Sequence, residues 1–172
     1  MKRRFGMFFA VCMVVAPAGV GAESSPLAAR AIVQVDAHAR YRAVYDIHST
    51  DIAAGISRGL FYARGLIEAF GKQGVAPGKL DIHLVLHGDA AQFLLTDDTY
   101  QTVVGDPFAV NLNAKITQDL IDLGVRVEIC HSVMKAKGWT AEDVLPGVTL
   151  VHDGYTRLIQ LQNDGYAVIG GF

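Results

Sequence analysis

From Tyr41 to the end of the chain, short strand-like runs alternate with stretches of helical spacing, joined by brief polar or glycine-bearing links. No other feature limits the possible folds as strongly. The strand-like runs are residues 41–48, 80–87, 125–130, 148–152 and 166–169. The second and fourth are close to continuous apolar runs, as expected of strands buried on both sides in a parallel sheet. Between the first two, Ile52, Ile56, Leu60, Ala63, Ile67 and Phe70 recur at steps of four and three. Asp51 stands before them as an N-cap and Gly71 after them as a C-terminal glycine, which predicts an amphipathic helix. Residues 90–107 read as a short helix and a loop. Leu112, Ile116, Leu120 and Leu123, closed by Gly124, mark another helix. Residues 132–137, ended by Gly138, form a short one, and Thr140 with Asp143 resembles a capping box. Residues 154–163 form the last helix, ended by Gly165. The alternation predicts an α/β fold in three layers, α/β/α, with a mainly parallel five-stranded sheet.

The chain begins as an exported protein does. Lys2, Arg3 and Arg4 precede an apolar stretch, residues 5–15, that is too short to span a bilayer. Val20, Gly21 and Ala22 supply small residues for cleavage before Glu23, so residues 1–22 are expected to be a signal peptide. Residues 23–40 follow as a flexible lead-in, with the ordered domain at 41–172. Removing 22 of 172 residues leaves 150, the size of one domain with an adequate core. The signal takes three basic residues with it, so the net charge moves from −2 to −5. No basic face for nucleic acid is expected, nor any membrane association after cleavage. The expected destination is the periplasm or the exterior.

Cys12 lies inside the signal, so Cys130 is the one thiol expected in the mature chain. It has no intramolecular disulfide partner, and is either a small buried hydrophobe or a working sulfur. Function turns on whether solvent can reach it. In an open parallel sheet, ligands bind beyond the carboxyl ends of the strands. Those ends carry His48, His87, Cys130 with His131, and His152. The helix expected from Ser132 would direct its N-terminus at the sulfur, and His131 or another imidazole would add positive charge; both favour a thiolate. His87, followed by Gly88, is the candidate base or hydrogen-bond donor for Cys130, or a histidine satisfied by loop carbonyls. His83 shares its face and, being mid-strand, is expected to pack against a helix. The metal candidates are His48, His87 and His152, with no Cys-x-x-Cys pair to support them. A lone cysteine argues against a dithiol redox cycle. No P-loop, G-x-S-x-G elbow or dinucleotide fingerprint occurs, and no cofactor is expected.

Leu84-Val85-Leu86-His87-Gly88, Gly124-Val125-Arg126-Val127-Glu128-Ile129-Cys130, Leu145-Pro146-Gly147-Val148 and Leu161-Gln162-Asn163-Asp164-Gly165-Tyr166-Ala167 together resemble the DsrE/DsrF-like sulfur-relay family. The resemblance implies a flavodoxin-like fold and self-association into trimers or hexamers. It also implies a persulfide carried on Cys130 between donor and acceptor proteins or small thiols, a relay role rather than that of a turnover enzyme. Cys130, His87 and His131 are the expected catalytic residues. The alternatives are a metal- or small-ligand-binding protein, or an assembly protein of the same fold.

Overall fold

A computed structural model describes residues 30–172. The expected signal, residues 1–22, and residues 23–29 of the expected lead-in lie outside the described residues. Strand β1 (Tyr41–Ile47) leads through the hairpin β2 (Ile52–Ala53) and β3 (Ile56–Ser57) into helix α1 (Arg58–Lys72) and strand β4 (Leu80–Leu86). A 3-10 segment (Gly88–Leu94), α2 (Asp97–Val104) and α3 (Asn113–Asp122) connect β4 to β5 (Arg126–Cys130). Then come α4 (His131–Lys137), β6 (Thr149–Val151), α5 (Gly154–Asn163) and β7 (Ala167–Ile169). Five of the strands form one sheet in the order β6-β5-β4-β1-β7. Every neighbouring pair in it is parallel, as the alternation predicted.

The strand order explains the layering. Successive right-handed crossovers from β1 to β4, β5 and β6 step one way and stack their connections on one face. The return from β6 across the sheet to β7 reverses direction and puts α5 on the other. On the first face Tyr45, Ile47, Leu84, Leu86, Val127 and Ile129 meet Leu60, Phe93, Leu94, Leu120 and Met134 in the main core. Each fully buried side chain of this kind contributes about 1.5–3 kcal/mol. On the second face a smaller cluster joins Val44 and Val85 to Leu158 and Leu161 of α5, with Tyr166 packed beside it. Polar side chains of β1, β4 and β5 flank this cluster on the second face, and they hold the candidate site.

The helix expected to start after Asp51 begins later. Ile52 pairs with Ser57 and Ala53 with Ile56 in a hairpin. Ala54 and Gly55 turn it with φ of 51° and 84°, the left-handed pair that a two-residue hairpin loop requires. Asp51 does not act as N-cap to this helix. Its carbonyl accepts from the Arg58 backbone N–H at 2.8 Å, and its carboxylate pairs with the Arg58 guanidinium at 2.8 Å. Helix α1 packs closely on the end of β1: a Cβ on Gly59 would stand 2.6 Å from Ile47 Cγ1. Ahead of β1, the Val35 N–H donates to Gln73 Oε1 at 3.0 Å, and the Tyr41 hydroxyl donates to the Asp36 carbonyl at 2.9 Å. Thr140 and Asp143 form the expected capping box around a short 3-10 turn. Among the described residues no helix is long and apolar enough to cross a membrane.

Candidate functional site

Alternation along a strand sends every second side chain to the same face. Register therefore aligns Val44, Asp46 and His48 of the β1 segment with His83, Val85 and His87 of the β4 segment and with Arg126, Glu128 and Cys130 of β5. The pairs Val44–His83, Asp46–Val85, His83–Arg126 and Val85–Glu128 are observed partners. His48, His87 and Cys130 stand one step past the partners Ile47–Leu86 and Leu86–Ile129, at the carboxyl edge. Because β5, β4 and β1 are sheet neighbours, three of the strand-end residues predicted to share an edge fall side by side.

Cys130 ends β5, and its residue is only 3% exposed. The sulfur is thus covered, where reactivity would have it open. Its surroundings also differ from expectation. Cys130 is itself the N-cap residue of α4, and its side chain makes no capping hydrogen bond. The N–H that reaches the sulfur belongs to Gly154, the first residue of α5, and donates to Cys130 Sγ at 3.3 Å. A helix N-terminus still faces the sulfur, but it comes from 24 residues further along the chain. An N–H at the start of a helix complements negative charge on its acceptor. Glycine is needed there because α5 arrives so close: a Cβ on Gly154 would lie 2.8 Å from His87 Cβ and 2.9 Å from His87 Cγ. Gly154 is therefore wedged between the thiol and the imidazole. The turn before it is fastened to α4 by Ser132, whose N–H and Oγ both donate to the His152 carbonyl, at 3.2 and 2.9 Å.

His87 is buried, and its Nε2 donates to Asp46 Oδ1 at 2.8 Å. It is not satisfied by loop carbonyls there; a carboxylate from the neighbouring strand fixes its ring. Tyr155 covers it edge-on, the ring centres 4.8 Å apart. His48 is exposed and donates from Nδ1 to the same Asp46 oxygen at 3.3 Å. The ligand atoms of Asp46, His48 and His87 all lie within 4.8 Å of one another. His152, the third metal candidate, is outside this group. It is exposed and borders an open cleft of about 360 Å³ with Glu128, Val151 and Arg157. His131 opens α4, half-buried, and it too is outside the group.

Mid-sheet, His83 is buried as expected, but in a network of charges rather than against apolar helix side chains. Its Nδ1 donates to Glu128 Oε1 at 2.6 Å, and Arg126 Nη1 donates to its Nε2 at 2.7 Å. Those partners fit the tautomer with its proton on Nδ1. Arg157 of α5 grips Glu128 with two parallel bonds, Nε to Oε2 and Nη2 to Oε1, both 2.8 Å. Burial alone would push the Glu128 carboxyl up, but the hydrogen bonds from Arg157 and His83 outweigh it and hold the group below the usual carboxylate range. Arg126 continues to Asp81 at 2.5 Å, and the Tyr166 hydroxyl donates to Asp81 at 2.7 Å.

Asp46, Glu128 and Arg157 were not singled out from the sequence, and Gly154 was not expected at the sulfur. The available signal was charge inside strands: Asp46 two places before His48, and Glu128 two places before Cys130, each at strand spacing. A carboxylate on the face of a buried strand needs a partner.

The DsrE/DsrF-like family model matches residues 31–170. No curated protein matches the chain. Among solved structures, the MTH1491 protein of Methanobacterium thermoautotrophicum, described as a protein of unknown function, is 22% identical with a TM-score of 0.51. That match covers 76% of this chain and 99% of the other. The ychN protein of E. coli is 19% identical with a TM-score of 0.54, over 76% of this chain and 99% of that one. At these identities the likeness is one of fold, and it agrees with the flavodoxin-like layering of a mainly parallel five-stranded sheet. From the match over residues 31–170, the chain belongs to the DsrE/DsrF-like family.

Proposed function

We propose that this protein is an exported sulfur carrier that holds sulfane sulfur as a persulfide on Cys130. The observation that carries the reading is the contact at the sulfur: a helix N-terminal N–H on Sγ, next to a buried, carboxylate-fixed imidazole, at the carboxyl edge of the sheet. Membership of a family associated with sulfur relay supports it.

Loading is a thiol exchange in which the Cys130 thiolate attacks the outer sulfur of a persulfide or polysulfide donor. A new S–S bond forms to Cys130 as the donor's own S–S bond breaks, and the donor leaves as a thiolate. Unloading is the same exchange run by an acceptor thiol, which takes the outer sulfur and regenerates Cys130. Neither step consumes a net oxidant or reductant. The role proposed for the Gly154 N–H is to hold the charged sulfur; that for the Asp46–His87 pair is to keep an imidazole fixed beside it. No step is assigned to His131, half-buried at the start of α4. Because Cys130 is covered, loading needs the turn at 152–154 to open, which restricts the donor to a small molecule or an inserted partner segment.

The same proposal includes cleavage before Glu23 and delivery to the periplasm or exterior. It also includes assembly into a trimer or hexamer, which would bury Tyr155 and Ile159, both exposed on α5. Intact-protein mass after incubation with polysulfide tests the reading. One added sulfur, about 32 Da, is expected on the wild type, reversed by a reducing thiol. No adduct, or an equal adduct on Cys130→Ser, rejects it.

A further inference from the structure

We propose that Asp46, His48 and His87 form a binding site for a borderline divalent transition ion, of which zinc is the type. This goes beyond persulfide carriage and does not depend on it. Two imidazoles and one carboxylate are the donor set that such ions take, and three protein ligands leave a position open, as sites that exchange a ligand require. The three donor atoms already face one another. Asp46 Oδ1 lies 2.8 Å from His87 Nε2 and 3.3 Å from His48 Nδ1, and the whole set is within 4.8 Å. Ligands that each stand about 2.0–2.2 Å from one ion are at most about 4.4 Å apart, so both Asp46 contacts are within that span and the two imidazoles need at most a small approach.

The electrostatics of Asp46 point the same way. The other two carboxylates on or beside this sheet face, Glu128 and Asp81, each bond a guanidinium, from Arg157 and Arg126. Asp46 is three-quarters buried and, among the described residues, meets two imidazoles and no lysine or arginine. A carboxylate bonded by two imidazoles and by no lysine or arginine is arranged to accept a cation.

The frame is also built to hold. The backbone N–H groups of His48 and Ser49 both donate to the Phe172 carbonyl, at 2.9 and 3.0 Å, so the exposed His48 is anchored. Gly88, at φ of 54°, brings the turn after His87 against His48, where a Cβ would lie 3.3 Å from the His48 carbonyl oxygen. On binding, the ion replaces the protons on His87 Nε2 and His48 Nδ1, and each moves to the other nitrogen of its own ring, His87 Nδ1 and His48 Nε2.

Calorimetric titration of Zn²⁺ into untagged, chelator-treated protein, from the cleavage site to Phe172, tests the assignment. One equivalent should bind per chain. His48→Ala, a change at an exposed side chain, and Asp46→Asn should each weaken binding at least about tenfold, while His152→Ala leaves it unchanged. Three results would overturn the site: no binding by wild type, equal binding by wild type and His48→Ala, or loss in His152→Ala or Cys130→Ser in place of His48→Ala. Persulfide loading is read by mass on the metal-free chain, so failure of either proposal is seen without the other.

Discussion

Two polar clusters share the α5 face of the sheet, and they are built on opposite terms. In the mid-sheet cluster every charge has an opposite: Glu128 with Arg157, Asp81 with Arg126, and His83 bridging Glu128 and Arg126. At the carboxyl edge the groups are Asp46, His48, His87 and Cys130, and no guanidinium or ammonium bonds any of them among the described residues. This matched network, buried at Glu128 and His83, fixes how α5 lies on the sheet. At the edge the imidazoles bond only the one carboxylate and the sulfur meets only a backbone N–H, with no charge matched by a guanidinium or ammonium among the described residues. Polar burial in the first cluster serves packing, and in the second it is proposed to serve chemistry, so the two should fail differently when mutated.

The largest difference should come from Arg157→Leu. It leaves the Glu128 carboxylate, 2% exposed, without its bidentate partner, and breaking a buried pair from one side costs about 3–5 kcal/mol. Chemical unfolding should show a loss of about 3 kcal/mol, the low end, because Arg157 itself is partly solvated. The matching edge change, Asp46→Asn, should cost about 1 kcal/mol, mostly from the weakened bond to the buried His87, since the longer bond to His48 is exposed. Equal losses from the two variants would erase the distinction between the clusters.

Gly154→Ala should come next and should cross from one cluster to the other. The new methyl would sit 2.8 Å from His87 Cβ, so α5 must shift, at about 1–3 kcal/mol. The same shift withdraws the N–H from Cys130, and thiol labelling should speed up along with the loss of stability. Faster labelling without destabilisation, or the reverse, would separate two effects that the structure places on one atom group.

Acid should act on the mid-sheet cluster. The Glu128 carboxyl is depressed in the folded protein, so its contribution is complete above the unfolded value, about 4.3, and is lost as pH falls through the lower folded value. Unfolding free energy should hold steady down to roughly pH 5 and then decline. Glu128→Gln should flatten that decline, leaving the share due to Asp81 and to Glu142 and Asp143 of the capping turn, which are depressed in the same direction. An unchanged slope in the variant would mean that Glu128 is not the group being protonated.

The smallest effect expected is that of Ser132→Ala. It removes one of two bonds to the His152 carbonyl, with a stability change of about 0.5–1.5 kcal/mol. A few-fold rise in the rate of Cys130 labelling is expected, because the turn over the sulfur opens more often. An unchanged rate would place the route to the sulfur elsewhere.

Much of the architecture was legible because its strands and late helices obey local rules. Residues 80–86 and 126–130 are strand-like runs that follow glycine-bearing turns, and Gly154–Asn163 was expected with its observed limits. The hairpin at 52–57 was misread because Ile52 and Ile56 also fit a helical step of four, and the turn geometry at Ala54 and Gly55 decided otherwise. The edge positions of His48, His87 and Cys130 followed from strand ends alone. What completes the site does not. Asp46 reaches His87 across 41 residues and Gly154 reaches Cys130 across 24, and such pairings depend on strand order and helix placement, which periodicity does not encode.

The central claim is that Cys130 gives sulfur up as well as taking it on. Protein carrying one added sulfur, freed of donor, can be mixed with a low-molecular-weight thiol and both partners followed by mass. The account predicts that the chain returns to its unmodified mass while the acceptor gains one sulfur. An adduct that stays on the protein, or that leaves without appearing on the acceptor, would contradict it.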